Sequence, residues 1–369
     1  MSRVKKNTLT ILLIAVALIV AIMLWIMTRD KSTYMPSVPV ARASDALAAL
    51  SADMPLYTVD AVYDPSAHKL TGTQSVSFTT TGQQLTSIIL RAYANAYSSE
   101  DTSPAAVPEL FLASYGGVFD KGGIAVSAFT VNGEPKAFRY ADDYNILIEV
   151  ADVAIAPLSS VELSFNFSLT LPKLKGAFSY SGDTAILSNP FPILAEIDEF
   201  GWITDSVPLY GDGYASKPNN WRVNITAPEG YTVAGSGSPE TEGGAIVAYA
   251  SRGFSFFAGK AGQVSADVNG IIVTVLGSNA SSILSEARDI ISYYEDVYGK
   301  YPWQSLVVLS ADIPQDYIVG SCFIVINSKL KDRTLPPAEA VAKQYFGELA
   351  GSDNLGQPWL SESVSAFAS

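Results

Sequence analysis

Glu339-Ala340-Val341-Ala342-Lys343-Gln344-Tyr345-Phe346-Gly347, a short loop through Gly351-Ser352-Asp353, and then Pro358-Trp359-Leu360-Ser361-Glu362-Ser363 form the stretch of this 369-residue chain that decides how it folds. Pro336 and Pro337 suit the first turn of a helix, where a missing N–H leaves no bond unmade, and Thr334 is placed to cap it. The helix is predicted to run to about Ala350, with Gly351 as its stop, and a second helix to begin near Pro358. On the first helix Glu339 and Lys343 stand at i and i+4, on one face and in the favoured acid-before-base order. Glu362 belongs to the second helix.

Upstream, the periodicity changes twice. Ser281 to Tyr298 carries Ile283, Ala287, Ile290, Ile291 and Tyr294 on one helical stripe. Leu306-Val307-Val308-Leu309 and Phe323-Ile324-Val325-Ile326 read as short buried strands. From Pro55 to about Val273 the pattern is β. Val161 to Leu169 alternates strictly, Thr73 to Thr79 alternates with Val76 and Phe78 on one face, and Tyr57 to Tyr63 alternates in part. Turn signals such as Asn132-Gly133, Pro228-Glu229-Gly230 and Gly235-Ser236-Gly237 separate these runs, as in a sandwich of short strands.

At the other end, Leu9 to Met27 is apolar apart from Thr10. As a helix it would be about 28 Å long, enough to span a bilayer core. Arg3, Lys5 and Lys6 precede it, and Trp25 lies near its end, so the expectation is an uncleaved single-pass anchor in a cell membrane. The N-terminus would be cytoplasmic and the bulk extracytoplasmic. Ala41-Arg42-Ala43, the nearest signal-peptidase-like site, lies well beyond the run. Hydrophobic residues at 48% exclude a disordered chain. A net charge of -13, from 36 acidic and 23 basic residues, argues against nucleic acid as a partner. Cys322 is the one cysteine and His68 the one histidine.

The 339–363 stretch resembles the active-site region of the membrane alanyl aminopeptidase family of gluzincin zinc metallopeptidases, which reads H-E-x-x-H-Q-W-F-G, then a short loop, then P-W-L-x-E-G. Residues 344–361 separate Lys343 from Glu362, the gap the family keeps between its second histidine and its glutamate ligand. Asn189-Pro190-Phe191-Pro192-Ile193-Leu194, Gly201-Trp202 and Tyr210-Gly211-Asp212 look like its β-domain signature. Arg252-Gly253-Phe254 resembles its R-D-F strand, and Tyr298-Gly299-Lys300-Tyr301-Pro302-Trp303 its F-G-x-Y-P turn. The resemblance runs from about Tyr57 to the end. The implied fold is α+β and multidomain: an N-terminal transmembrane helix, a β-sandwich domain, then a truncated thermolysin-like mixed α/β domain of catalytic type. The expected segments are a cytoplasmic tip and anchor at 1–30, a linker at 31–54 with a short helix over Ala43 to Leu50, a β-rich aminopeptidase N-terminal-like domain at 55–273, and a partial metallopeptidase-like domain at 274–369.

Zinc is the family's cofactor, but its pattern breaks here. The two histidine positions hold Glu339 and Lys343, the general-base position holds Ala340, and Glu362 alone matches a ligand type. A zinc hydrolase needs imidazoles or carboxylates around the ion and an open place for water. His68 is a single imidazole after Pro65, read as an exposed loop residue, so no cofactor is predicted. The resemblance aligns Val319-Gly320-Ser321-Cys322-Phe323 with the G-x-M-E-N loop that holds a substrate's amine, making Gly320, Ser321 and Cys322 the candidate substrate-binding residues. No acidic residue occurs from Tyr317 to Lys331. Cys322 has no histidine to activate it and is not read as a nucleophile. The Lys343 ammonium is expected between Glu339 and Glu362, in place of a metal. The function expected is that of a non-catalytic, membrane-anchored relative that binds a peptide or protein. Two alternatives stay open: an active zinc metallo-aminopeptidase with an atypical site, and a truncated gene product.

Overall fold

Strict alternation builds the centre of the largest sheet. In strand Ser160–Thr170 the side chains of Val161, Leu163, Phe165, Phe167 and Leu169 are all buried, and the residues between them are not. Period-two burial is what one packed face demands of a strand. The structure is a computed structural model and describes residues 43–369 except 211–213, 215, 241–243, 331–334, 353 and 358. Ser160–Thr170 lies antiparallel to Lys69–Thr79 on one side and to Gly123–Val131 on the other. The eight-stranded sheet continues from Lys69–Thr79 through Leu56–Asp64, Asn219–Thr226 and Ile246–Ser251 to Ser238–Pro239, and ends beyond Gly123–Val131 at Glu134–Pro135. Asn132 and Gly133, both at positive φ, turn the chain into that last strand.

Two four-stranded sheets share the core of the large one. Their strands Phe178–Ser181, Thr184–Leu187 and Phe256–Gly259, and Ile88–Arg91, Leu147–Val150 and Ile193–Leu194, all contribute to one apolar cluster. Its centre is aromatic: Trp221 stacks on Tyr57 with ring centroids 4.4 Å apart, and Phe191, Phe254 and Phe256 pack around them.

A second core forms on a five-stranded mixed sheet ordered Gln263–Val268, Ile271–Gly277, Ser305–Ala311, Phe323–Asn327 and Tyr317–Gly320. Its central pairings are parallel. Helix Ala280–Tyr298 buries Ile283, Ala287, Ile291 and Tyr294 against it, and helix Leu335–Lys343 adds Ala340, Val341 and Ala342. Strand Ile271–Gly277, which spans residue 273, belongs to this sheet. A third cluster, with Ile186 and Phe257 facing Leu276, Val307, Leu309 and Phe323, joins the two parts. The expected short helix is present as Ala43–Leu50.

The helix after 334 differs from expectation. It is α-helical only to Lys343 and continues as a π-helix over Gln344–Ala350, closed by Gly351 N–H donating to Phe346 O at 3.2 Å. The wider turn keeps Gln344 fully buried while Glu348 meets Ser321.

The fold class and localisation need correction. Among the described residues no helix is long and apolar enough to cross a membrane. The longest described helix, Ala280–Tyr298, carries Glu286, Arg288, Asp289, Glu295 and Asp296 along its length. The molecule is a sheet-rich α+β protein, and the transmembrane helix and the single-pass membrane placement are withdrawn. The run Leu9 to Met27 lies outside the described residues, as do Thr334, Pro358, Asp353 and Gly211-Asp212.

Buried phenols set the alkaline limit of this fold. Desolvation pushes the hydroxyls of Tyr63, Tyr115 and Tyr294 up to about 12 from an ordinary value of 10.0. The folded state holds the neutral phenol, so this stabilisation is complete below pH 10 and is lost as pH rises towards 12. The urea midpoint should therefore stay level up to about pH 10 and fall above it, with tyrosinate absorbance rising together with unfolding. Full phenol ionisation near pH 10 in a chain that keeps its near-ultraviolet dichroism would contradict this.

Candidate functional site

A cavity of about 270 Å³ lies between the β-rich part and the five-stranded sheet. Tyr93, Tyr97, Phe178 and Tyr214 line it from the β-rich part, while Tyr317, Ile318, Val319, Lys343 and Glu362 line it from the other. Tyr93 packs on Tyr214 and Tyr97 on Phe178, with ring centroids 4.7 and 5.0 Å apart. The Tyr214 hydroxyl donates to Arg252 O at 3.1 Å, which fixes that ring.

The charged residues of the quoted stretch form a chain of contacts beside this cavity. Lys343 Nζ donates to Glu362 Oε1 at 2.6 Å. The Lys343 side chain is 14% exposed and that of Glu362 40%. The same ammonium lies 5.4 Å from the centroid of the Tyr317 ring, where the ring face attracts a cation. The Tyr317 hydroxyl donates to Glu339 Oε2 at 3.2 Å. Burial raises the Tyr317 phenol above its usual range, and the charges of Glu339 and Glu362 raise it further. Lys343 thus meets Glu362 as expected, whereas Glu339 turns to Tyr317. Ala340 is fully buried and offers no group that could carry a proton.

Gly320, Ser321 and Cys322 form the hairpin turn beyond the cavity wall. All three are buried, and Cys322 sits at positive φ. Burial pushes the Cys322 thiol far up, which keeps it an unreactive neutral group. Gln344 clamps the turn: its Oε1 accepts from Cys322 N at 2.9 Å and from Tyr301 Oη at 3.3 Å, and its Nε2 donates to Gly320 O at 2.9 Å. Ser321 Oγ donates to Glu348 Oε2 and accepts from Arg252 N. Arg252 donates from its guanidinium to the carbonyls of Glu348, Ala350 and Ser216, capping the end of the π-helix. Desolvation lowers its pKa, and the Glu348 charge opposes that.

The aromatic walls, Gln344 and the Arg252 cap were not candidates on sequence grounds. Tyr93, Tyr97, Phe178 and Tyr214 come from separate segments with no shared spacing. For Gln344 a signal existed, a polar residue between apolar Ala342 and Tyr345 on a buried helix face. His68 is half-buried in the turn before Lys69–Thr79 and stacked on Tyr180, not an exposed loop residue.

Zinc does not fit the side chains present. An ammonium cannot ligate a metal, and Lys343 holds the carboxylate that would be needed as a ligand. Glu339 is bonded to a phenol, and no imidazole belongs to this group. Among the described residues no cluster of three or more His, Cys, Asp or Glu side chains is arranged to hold a metal ion.

No family model matches the chain, and no curated protein does. Solved structures do match. The M1 zinc metallopeptidase from Deinococcus radiodurans is 16% identical, with a TM-score of 0.59, over 86% of this chain and 69% of that one. A mutant of that enzyme bound to a Tyr-Ser-Ala substrate is 17% identical, with the same TM-score and coverage. A mutant two-domain M1 zinc metallopeptidase bound to L-arginine is 15% identical, with a TM-score of 0.58, over 85% of this chain and 68% of that one. The chain therefore shares the fold of these M1 zinc metallopeptidases.

Proposed function

We propose that this protein is an aminopeptidase-like chain without hydrolytic activity, which uses the aromatic cavity to bind a peptide or a protein segment. The observation that carries this reading is the 2.6 Å bond from Lys343 Nζ to Glu362 Oε1. A positive charge fixed there repels a divalent ion, and it occupies the one retained ligand-type carboxylate. Ala340 stands where the resemblance calls for a general base, so a water molecule would lack a proton acceptor as well as a metal. The cavity, by contrast, keeps its aromatic walls and an exit to solvent through half-exposed Glu362.

The test is metal content and turnover of the purified protein. Elemental analysis after dialysis should find far less than one zinc per chain, and aminoacyl-anilides should be released at the same background rate with added zinc and with a chelator. Stoichiometric metal together with chelator-sensitive turnover would overturn the reading in favour of an atypical metallo-aminopeptidase.

A further inference from the structure

We propose that the cleft takes cationic polypeptide segments, with an arginine side chain seated in the aromatic cavity. The inference rests on the peptide-binding reading above and names its ligand class. It begins with polar atoms left unused in the cavity wall. Ser188 Oγ, Asn189 Oδ1 and Gln315 Oε1 are buried there without a hydrogen-bond partner. Buried acceptors without partners are costly, and a ligand that brings N–H groups removes that cost. A guanidinium offers donors and no acceptor, and its plane stacks on aromatic faces. Tyr93, Tyr97, Phe178 and Tyr214 supply such faces around the same space.

The rim adds the charge. On the β-rich side the cavity is bordered by residues 92–118, which include the lining residues Pro104 and Ala105, and by residues 189–210, which include Val207 and Pro208. Neither segment contains a lysine or an arginine. Glu100, Asp101, Glu109, Asp198, Glu199 and Asp205 are exposed on them, and among the described residues none of the six is in an ion pair. The Tyr210 hydroxyl donates to Glu109 Oε2 at 3.4 Å and joins the two segments. Leu112, Phe200 and Tyr210 stand exposed among these carboxylates. Arg91, immediately before the first segment, is buried and gives its guanidinium to the Ile203 and Asp205 carbonyls. Inside the cavity Lys343 is matched by Glu362, while Glu339 keeps its charge as it accepts from Tyr317. The cleft therefore presents net negative charge, and a cationic segment with apolar residues between its charges complements it.

Three pools of N-acetylated, C-amidated hexapeptides, randomised over Ala, Ser, Leu and Tyr except at two positions fixed as Arg, Gln or Glu, would be passed over the immobilised full chain. Mass spectrometry reads what is retained. At about 50 mM salt the arginine pool should be retained about tenfold or more over the glutamine pool, and the glutamate pool no better than the glutamine pool. At about 0.5 M salt the arginine advantage should shrink several-fold. The rim variant Glu109→Gln/Asp205→Asn should keep the parent's melting temperature and its retention of the glutamine pool, while the arginine advantage falls about threefold or more. Gln315→Met removes an unpaired buried oxygen, so it should not lower the melting temperature, yet it too should cut the arginine advantage about threefold. Asp289→Asn/Asp296→Asn takes the same charge from exposed positions on helix Ala280–Tyr298, which does not line the cavity, and should leave the advantage unchanged. Equal retention of the arginine and glutamine pools, or preference for the glutamate pool, overturns this inference and leaves the peptide-binding reading standing. So does an arginine advantage that the folded rim or Gln315→Met variant leaves intact, or that the helix variant loses equally. Retention of no pool overturns both. The pool and salt comparison on the parent chain decides the matter if a variant does not fold.

Discussion

The double variant Glu339→His/Lys343→His should bind about one zinc ion per chain, a metal that the proposed reading denies to the parent. Residues 339 and 343 stand at i and i+4 on helix Leu335–Lys343, so two imidazoles there project from one face. Glu362 already reaches that face, since Lys343 Nζ touches its Oε1 at 2.6 Å. Removing the ammonium frees the carboxylate and completes a two-histidine, one-carboxylate set with an open position. Catalysis should not return, because Ala340 still supplies no base. Zinc should co-elute with the variant in gel filtration and be lost as pH falls through about 6.5, where imidazole protonates. A thousandfold excess of zinc over its dissociation constant should stabilise the variant by about 4 kcal/mol. Lys343→His alone leaves Glu339 on Tyr317 and should retain no stoichiometric metal. A folded double variant that passes through gel filtration without zinc would show that the two helices do not converge on one point.

What could be read from the sequence follows from how local each cause is. The alternation in Val161 to Leu169 and the stripe in Ser281 to Tyr298 are local consequences of burying one face, and both elements are present within a residue or two of where the pattern puts them. That Lys343 and Glu362 are neighbours follows from a spacing, residues 344–361, that the resemblance made meaningful. Glu339 shows the limit of that kind of reasoning. Its helix spacing to Lys343 favours an ion pair, yet Tyr317 arrives from a separate edge strand and takes its carboxylate. The π-turn was hidden for the same reason, because Gln344 acquires its partners from Gly320, Cys322 and Tyr301, none of them within the helix. The membrane anchor was suggested by the length of the apolar run Leu9 to Met27 with Arg3, Lys5 and Lys6 before it and Trp25 near its end, and such a pattern carries no information about tertiary contacts.

Gln344→Leu should cost about 3–5 kcal/mol of folding stability, since it strands three buried groups at once. Gln344 is completely buried. Leucine of similar bulk leaves the Cys322 N–H, the Tyr301 hydroxyl and the Gly320 carbonyl without the partner each now has. Each loss is worth roughly 1–3 kcal/mol, and relaxation recovers part of the sum. For a chain of 369 residues the melting temperature should fall by roughly 4–6 °C, read by calorimetry alongside the urea midpoint. Gln344→Glu separates hydrogen bonding from shape. A protonated glutamic acid can still accept from Cys322 N–H and donate to Gly320 O, but an ionised one can only accept. Burial would raise its folded pKa above the ordinary value of about 4.3, so its stabilising contribution is complete below that value and lost as pH rises through the folded one. The glutamate variant should therefore approach the parent's stability in acid relative to neutral pH, while the leucine variant stays equally impaired at both. A loss under about 1 kcal/mol in Gln344→Leu would mean that the clamp is redundant and that the Ser321–Glu348–Arg252 contacts hold the turn by themselves.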